Sequence, residues 1–345
     1  MSAEVETMAY VGEVPWHGLG EPLGDEPVSG EEMEVASGLD WRVDKKPLYI
    51  EGAEGTDERT YERVNDWVAT VRSSDGKGLG VVGESYQVIQ NKEMFEFAEA
   101  LSATGGVRFH TAGSLYGGRR VWALAEVTSA TFEVVKGDSV VPYLLLASSH
   151  DGSLAFQALW TAIRVVCNNT LRAAFQDSAA KKHATFSIRH TGKPMDRLEE
   201  AQKLLGLMDT TSMLVAEQLQ ILAAQAFSLP RMQEFTARLL DIKPPDGVPD
   251  EEEDTVSSRA MNMWEMIVDS YEHGVGADLA GVAGTKWAAL NAVTQFATHQ
   301  RSTRRNRHSD LQDEASQVKE ARFASMMFGS GQQLVTRATS LLVDA

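Results

Sequence analysis

The chain has 345 residues and a mass of 37.7 kDa, long enough for two domains with sizeable cores. Its 43% hydrophobic and 23% charged content is ordinary for a globular protein, no uncharged apolar run approaches the roughly 18 residues of a membrane span, and the acidic start MSAEVETMAY lacks a signal-peptide pattern, so a cytoplasmic location without a membrane partner is expected. One cysteine excludes an intrachain disulfide framework and a Cys-cluster zinc site, and a net charge of −17 argues against coating duplex DNA with the whole surface.

In chain order, residues 1–28 are rich in Gly, Pro and Glu and hold the compact motif VPWHGLG at 14–20. Ser29 and Glu32 form a capping box for a short helix through Gly38. Strands are expected in WRVDKKPLYI, DWVATVRSS and LGVVGESYQVI, with a DGKG turn between the last two. Asn91 is positioned to cap a helix whose stripe is Met94, Phe97, Ala98 and Leu101. VRFHTAGSLYGGRRVWALAEV reads as a hairpin turning near Gly117-Gly118, and VPYLLLASS leads to a second turn at His150-Asp151-Gly152.

Residues 154–175, LAFQALWTAIRVVCNNTLRAAF, follow that turn. Leu154, Phe156, Ala158 and Trp160 alternate as in a strand with one buried face. From Ile163 the spacing predicts a helix, with Ile163, Val166, Cys167, Thr170, Leu171, Ala174 and Phe175 on one stripe and Arg164, Asn168 and Arg172 on another. The handover lies within several residues of Ile163, because TAIRVV is β-branched enough to extend the strand. The Arg-Asn-Arg row is either a phosphate ladder or the solvated side of a packing helix.

After the basic connector KKHATFSIRHTGK the pattern turns helical, with a break expected near Asp209 in the first long stripe. The run KPPDGVPDEEEDT at 243–255 is too charged to bury and reads as a linker. Helices resume in MNMWEMIVDSY, GTKWAALNAVTQFATH, SQVKEARFASMMF and QQLVTRATSLL, Thr285 capping the second of these. The expected fold class is α+β: an antiparallel sheet with packed helices over residues 1–193, then an all-helical region over 194–345.

No Walker A, zinc-spacing or nucleophile-elbow pattern is present, so no catalytic site, metal or cofactor is predicted and no enzyme is proposed. Cys167 sits on an apolar stripe and reads as a core residue. Charge is the better lead. Residues 1–100 carry 22 acids against 8 bases, whereas residues 101–200 carry 8 acids against 11 bases. The candidate nucleic-acid-binding residues are Arg119, Arg120, Trp122, Arg164, Asn168, Arg172, Lys181 and Lys182, with the arginines on phosphates and Trp122 or Tyr116 stacking on bases. A second basic cluster, Arg301, Arg304, Arg305, Arg307 and His308, closes the GTKW helix, where cations are also expected from the helix dipole alone.

VPWHGLG, GESYQVIQNKEMFEF, GGRRVWALAEV, TAIRVVCNNTL and GTKWAALNAVTQFATHQR together resemble the phage/plasmid-like protein family, domain of unknown function 932. The resemblance implies a protein of bacteriophages, prophages or plasmids and supplies no catalytic residues. It invites an architectural comparison with single-strand annealing proteins of phage recombination. The expectation is a non-enzymatic protein that binds and anneals single-stranded nucleic acid and forms homo-oligomers through its C-terminal helices. The alternative is an acidic interaction protein whose partner is a host factor. A metal-dependent nuclease or phosphohydrolase built from scattered His and Asp ranks third.

Overall fold

The structure is a computed structural model that describes residues 5–15, 17–51, 61–103, 106–167, 169–172, 185–187, 194–243, 257–302 and 314–344. Asn168, Lys181, Lys182, Arg304, Arg305, Arg307, His308 and nearly all of the expected linker lie outside them.

The Gly117-Gly118 pair turns a hairpin between β6 (Val107–Leu115) and β7 (Arg120–Val127). Gly117 and Gly118 sit at φ 68° and 83°, and a Cβ on Gly118 would press on Trp41 and Arg72, so the turn requires glycine. The His150-Asp151-Gly152 turn joins β9 (Asp138–Ser149) to β10 (Gln157–Arg164), with Asp151 accepting from the Ser153 amide at 2.9 Å. These strands form the centre of a sheet of order β11-β10-β9-β7-β6-β1-β2, where β1 is Val5–Tyr10, β2 Glu21–Pro22 and β11 Asn169–Arg172. β12 (Thr185–Ser187) adds to β10, and β8 (Phe132–Val135) adds to β9. Among the described residues of this sheet, only the β1–β2 pair is parallel.

Both faces of this sheet are covered. Val121, Ala123, Leu144, Leu146, Ala158 and Trp160 point to one core, and Trp122, Leu124, Tyr143, Leu145 and Leu159 point to the other. β10 therefore buries both of its faces, where the alternation had suggested one. Sheets covered on both sides read as continuous apolar runs, and ALW at 158–160 and YLLLA at 143–147 are such runs.

The helices supply the covers. The Ser29–Glu32 capping box starts α1 (Gly30–Ala36) as expected. α2 (Asn91–Ser102) begins one residue before expectation: Gln90 is the N-cap, its amide answering the Glu93 carboxylate at 2.8 Å. Asn91 is instead buried, donating to the Leu39 and Trp41 carbonyls and accepting at Oδ1 from His150 Nε2 at 2.9 Å. α3 (Pro194–Ala224) runs unbroken past Asp209, and within it Thr210 and Thr211 fold their hydroxyls back onto the Gly206 and Leu207 carbonyls, so that neither exposes an unsatisfied polar group. It buries Leu204, Met208, Val215, Leu219 and Leu222, and Ser212 accepts from Trp160 Nε1 at 3.0 Å. α4 (Leu229–Leu240) and α5 (Ser258–His273) precede α6 (Lys286–Gln295), which Thr285 caps and a π-turn (Phe296–Gln300) extends. α7 (Glu314–Phe328) lays Phe323, Ala324 and Met327 on the Trp122 face, and α8 (Ser330–Val343) ends the chain's described part. The α+β class holds, with the region after residue 194 helical among the described residues. Both stretches contribute to one apolar core.

The helix expected from Ile163 is not formed. Thr161, Ala162, Ile163 and Arg164 pair antiparallel with Arg172, Leu171, Thr170 and Asn169 through a turn at 165–167. The β-branched run TAIRVV prolongs the strand, and the i, i+3, i+4 spacing was shared by chance with a tight hairpin. A separate three-stranded sheet, β3 (Val43–Glu51), β4 (Tyr61–Arg72) and β5 (Gly78–Gly83), carries the exposed rings of Tyr49, Tyr61 and Trp67.

Candidate nucleic-acid interface

The β6–β7 tip holds two of the expected arginines side by side, both half-buried. The Arg120 guanidinium lies over the rings of Tyr116 at 5.4 Å and Phe328 at 5.6 Å, and its Nη2 reaches Ser153 Oγ at 3.4 Å. Tyr116 adopts φ 58°, a conformation that a bulky residue keeps only where its surroundings fix it. Asp151 is the acid within electrostatic reach of Arg120. The Arg119 carbonyl accepts from the His150 amide at 2.8 Å, which fastens the tip to the next turn.

Two further expected residues are elsewhere. Trp122 is fully buried, its ring 5.0 Å from Phe323, so it presents no face to a base. Arg164 is fully buried at the other end of the sheet. β9 pairs with Arg120 at Ser149 and with Arg164 at Val140, roughly 30 Å away at the rise of an extended strand. The Arg164 guanidinium meets both Asp138 oxygens at 2.6 and 2.9 Å and donates to the Val275 and Gly276 carbonyls at 3.2 Å. Trp287 stacks against it and donates Nε1 to Asp138 at 2.8 Å. This cluster joins the strand end to the α5–α6 connection and is a structural joint. Arg172 pairs through its backbone with Thr161, and Asn168, Lys181 and Lys182 are outside the described residues.

Cys167 is buried as expected, though in the β10–β11 turn beside Arg164 and not on a helical stripe, and burial pushes its thiol pKa up, away from nucleophilic use. Among the described residues, no group of three His, Cys, Asp or Glu is arranged to hold a metal ion. Nor is any described helix long and apolar enough to cross a membrane.

Sequence reasoning missed a cleft of about 360 Å³ between the N-terminal segment and the sheet, lined by Glu13, Arg108, His110, Glu126 and Tyr143 among others. Burial, reinforced by Arg108, lowers the His110 pKa to about 4, and burial with Glu126 raises that of Tyr143. The two rings meet edge-on at 5.1 Å, and both are neutral at pH 7. Arg108 and Glu126 pair at the rim at 2.8 Å. The cleft offers neutral hydrogen-bonding groups within an acidic rim, a poor setting for a phosphate. His110 stood in the basic window of the sequence, but only the fold shows that it is neutral.

No match was found among curated proteins or among solved structures. A family model matches residues 78–321, from the start of β5 into α7, and so spans the β6–β7 tip and the Arg164 joint. That match takes in well over half of the sequence, and the chain belongs to the family described as Domain of unknown function (DUF932).

Proposed function

We propose that the protein is a non-enzymatic, oligomeric binding protein of a mobile element that holds single-stranded nucleic acid at the β6–β7 tip. The observation that carries this reading is Arg120. Its guanidinium stacks on Tyr116 and Phe328 at the sheet's end, and it forms no ion pair among the described residues. A cation held over a half-exposed ring offers a phosphate contact and a stacking platform together. Arg119 adds a second cation next to it. Strand annealing and self-association through the C-terminal helices belong to the same proposal.

The test is fluorescence anisotropy with a labelled oligonucleotide across a salt series. Affinity should fall linearly on a log–log plot against salt, with a slope reporting the few phosphates engaged. No binding at low salt, or binding insensitive to salt, ends the reading.

A second reading, docking to a host protein, is favoured by the β3–β5 sheet. Tyr49, Ile50, Tyr61, Trp67 and Val81 are each about half exposed there, within the acidic first hundred residues. Trp67 lies across from Gly83 on β5, which offers its ring no side chain. Recovery of a defined host protein that Trp67→Ala abolishes would support this reading, and equal recovery with both forms would remove it.

A further inference from the structure

Three buried cations among the described residues each have an evident partner. Arg164 has Asp138, and Arg72 has Glu6 and Asp75 at 2.6–2.8 Å. Lys286 donates to the Leu342 carbonyl at 3.0 Å, in the last turn of α8, where the helix dipole favours a cation.

Arg301 breaks this pattern. It follows the π-turn, its amide closing onto the Phe296 carbonyl at 2.7 Å. Its side chain is half-buried, and Nη1 is shielded from solvent with no hydrogen-bond acceptor. Arg322 of α7 comes against it, donating Nε to the Arg301 carbonyl at 3.2 Å. Arg259, exposed in the first turn of α5, adds positive charge that Arg301 feels. None of the three arginines forms an ion pair among the described residues. Burial, and for Arg301 also Arg259, lowers the pKa values of Arg301 and Arg322, the reverse of what a neighbouring carboxylate would do.

Holding the half-buried guanidinium groups of Arg301 and Arg322 together without a counter-charge, with exposed Arg259 nearby, is unfavourable, and a bound anion removes the cost. We propose that Arg259, Arg301 and Arg322 form a phosphate-binding site between α5, the π-turn and α7. Three cations exceed the need of a planar monoanion such as a carboxylate and suit a multiply charged tetrahedral oxyanion. The guanidinium fork also matches phosphate oxygens in pairs. The site is separate from the β6–β7 tip and does not depend on the function proposed for it.

The test uses the full chain and inorganic phosphate at constant ionic strength, with chloride as the balancing anion. Thermal unfolding should shift upward by about 3 °C at a hundredfold excess over Kd. Arg301→Gln and Arg322→Gln should each abolish that shift while melting no lower than the unmodified protein in phosphate-free buffer. Arg120→Gln should keep it. An absent shift in the unmodified protein, or a shift retained in both Arg301→Gln and Arg322→Gln, overturns the proposal. Oligonucleotide titrations of the same variants identify the source of the phosphate. A loss of about tenfold in affinity for Arg301→Gln assigns it to a nucleic-acid backbone, and unchanged affinity assigns it to a free phosphate compound.

Discussion

Arg164 is fully buried and Arg301 is half-buried with Nη1 shielded from solvent, and they differ in what meets them. Around Arg164 the fold supplies a carboxylate, two carbonyls and an indole face, and the guanidinium is fully buried. Around Arg301 it supplies a second and a third arginine. A buried cation with its acceptors complete is part of the framework. One without them marks a place where the molecule is complete only with something added. The contrast also separates Arg164 from Arg120, which sit at opposite ends of β9 and serve different ends.

The largest expected effect is at the complete site. Arg164→Gln leaves Asp138 buried with only Trp287 to answer it, and should cost about 3–5 kcal/mol by urea denaturation. A loss below about 1 kcal/mol would break the claim that this cluster is a structural joint. The double variant Arg164→Met with Asp138→Leu should recover much of the loss, because an apolar pair needs no acceptors.

A buried group can also avoid the problem by staying neutral, as His150 does. Its Nε2 donates to Asn91, Trp41 packs edge-on at 5.4 Å, and burial lowers its pKa from 6.5 to about 4. The unfolded chain takes up this proton first as pH falls. Its contribution is therefore full above pH 6.5 and is lost as pH drops toward 4, by about 3 kcal/mol. Unfolding free energies measured across that window should show the slope, and His150→Gln should reduce it without abolishing it, because buried His17 and His110 contribute in the same direction.

Smaller effects are expected at the surface. Tyr116→Ala should weaken oligonucleotide binding by about 1–3 kcal/mol in anisotropy titrations, the range of one base stack. Trp67→Ser should change stability by less than about 0.5 kcal/mol, since half of the ring is already in water. A larger loss from Trp67→Ser would show that the β3–β5 sheet depends on this ring instead of merely displaying it.

Much of this framework is legible in the sequence where the physics is local. The Ser29–Glu32 box, the glycine pair at 117–118 and the Thr285 cap follow from residues a few positions apart. The interface was harder to read because exposure is a tertiary property. Trp122 alternates as an exposed residue would, but α7 arrives from the far end of the chain and covers it with Phe323. Arg164 looked like a member of an Arg-Asn-Arg ladder. Its partner is a diagonal neighbour on β9, 26 residues back, visible only once the strand register is known. Arg301 was counted with the arginines that follow it, and nothing local distinguishes it from a helix-end cation.

One measurement tests the contrast most directly: the unfolding free energies of Arg164→Gln and Arg301→Gln, side by side, in phosphate-free buffer. Removing the satisfied charge should destabilise the protein by several kcal/mol, while removing the unsatisfied one should leave it as stable or more so. If Arg301→Gln loses as much stability as Arg164→Gln, then Arg301 already has its partner within the fold, and no anion is awaited there.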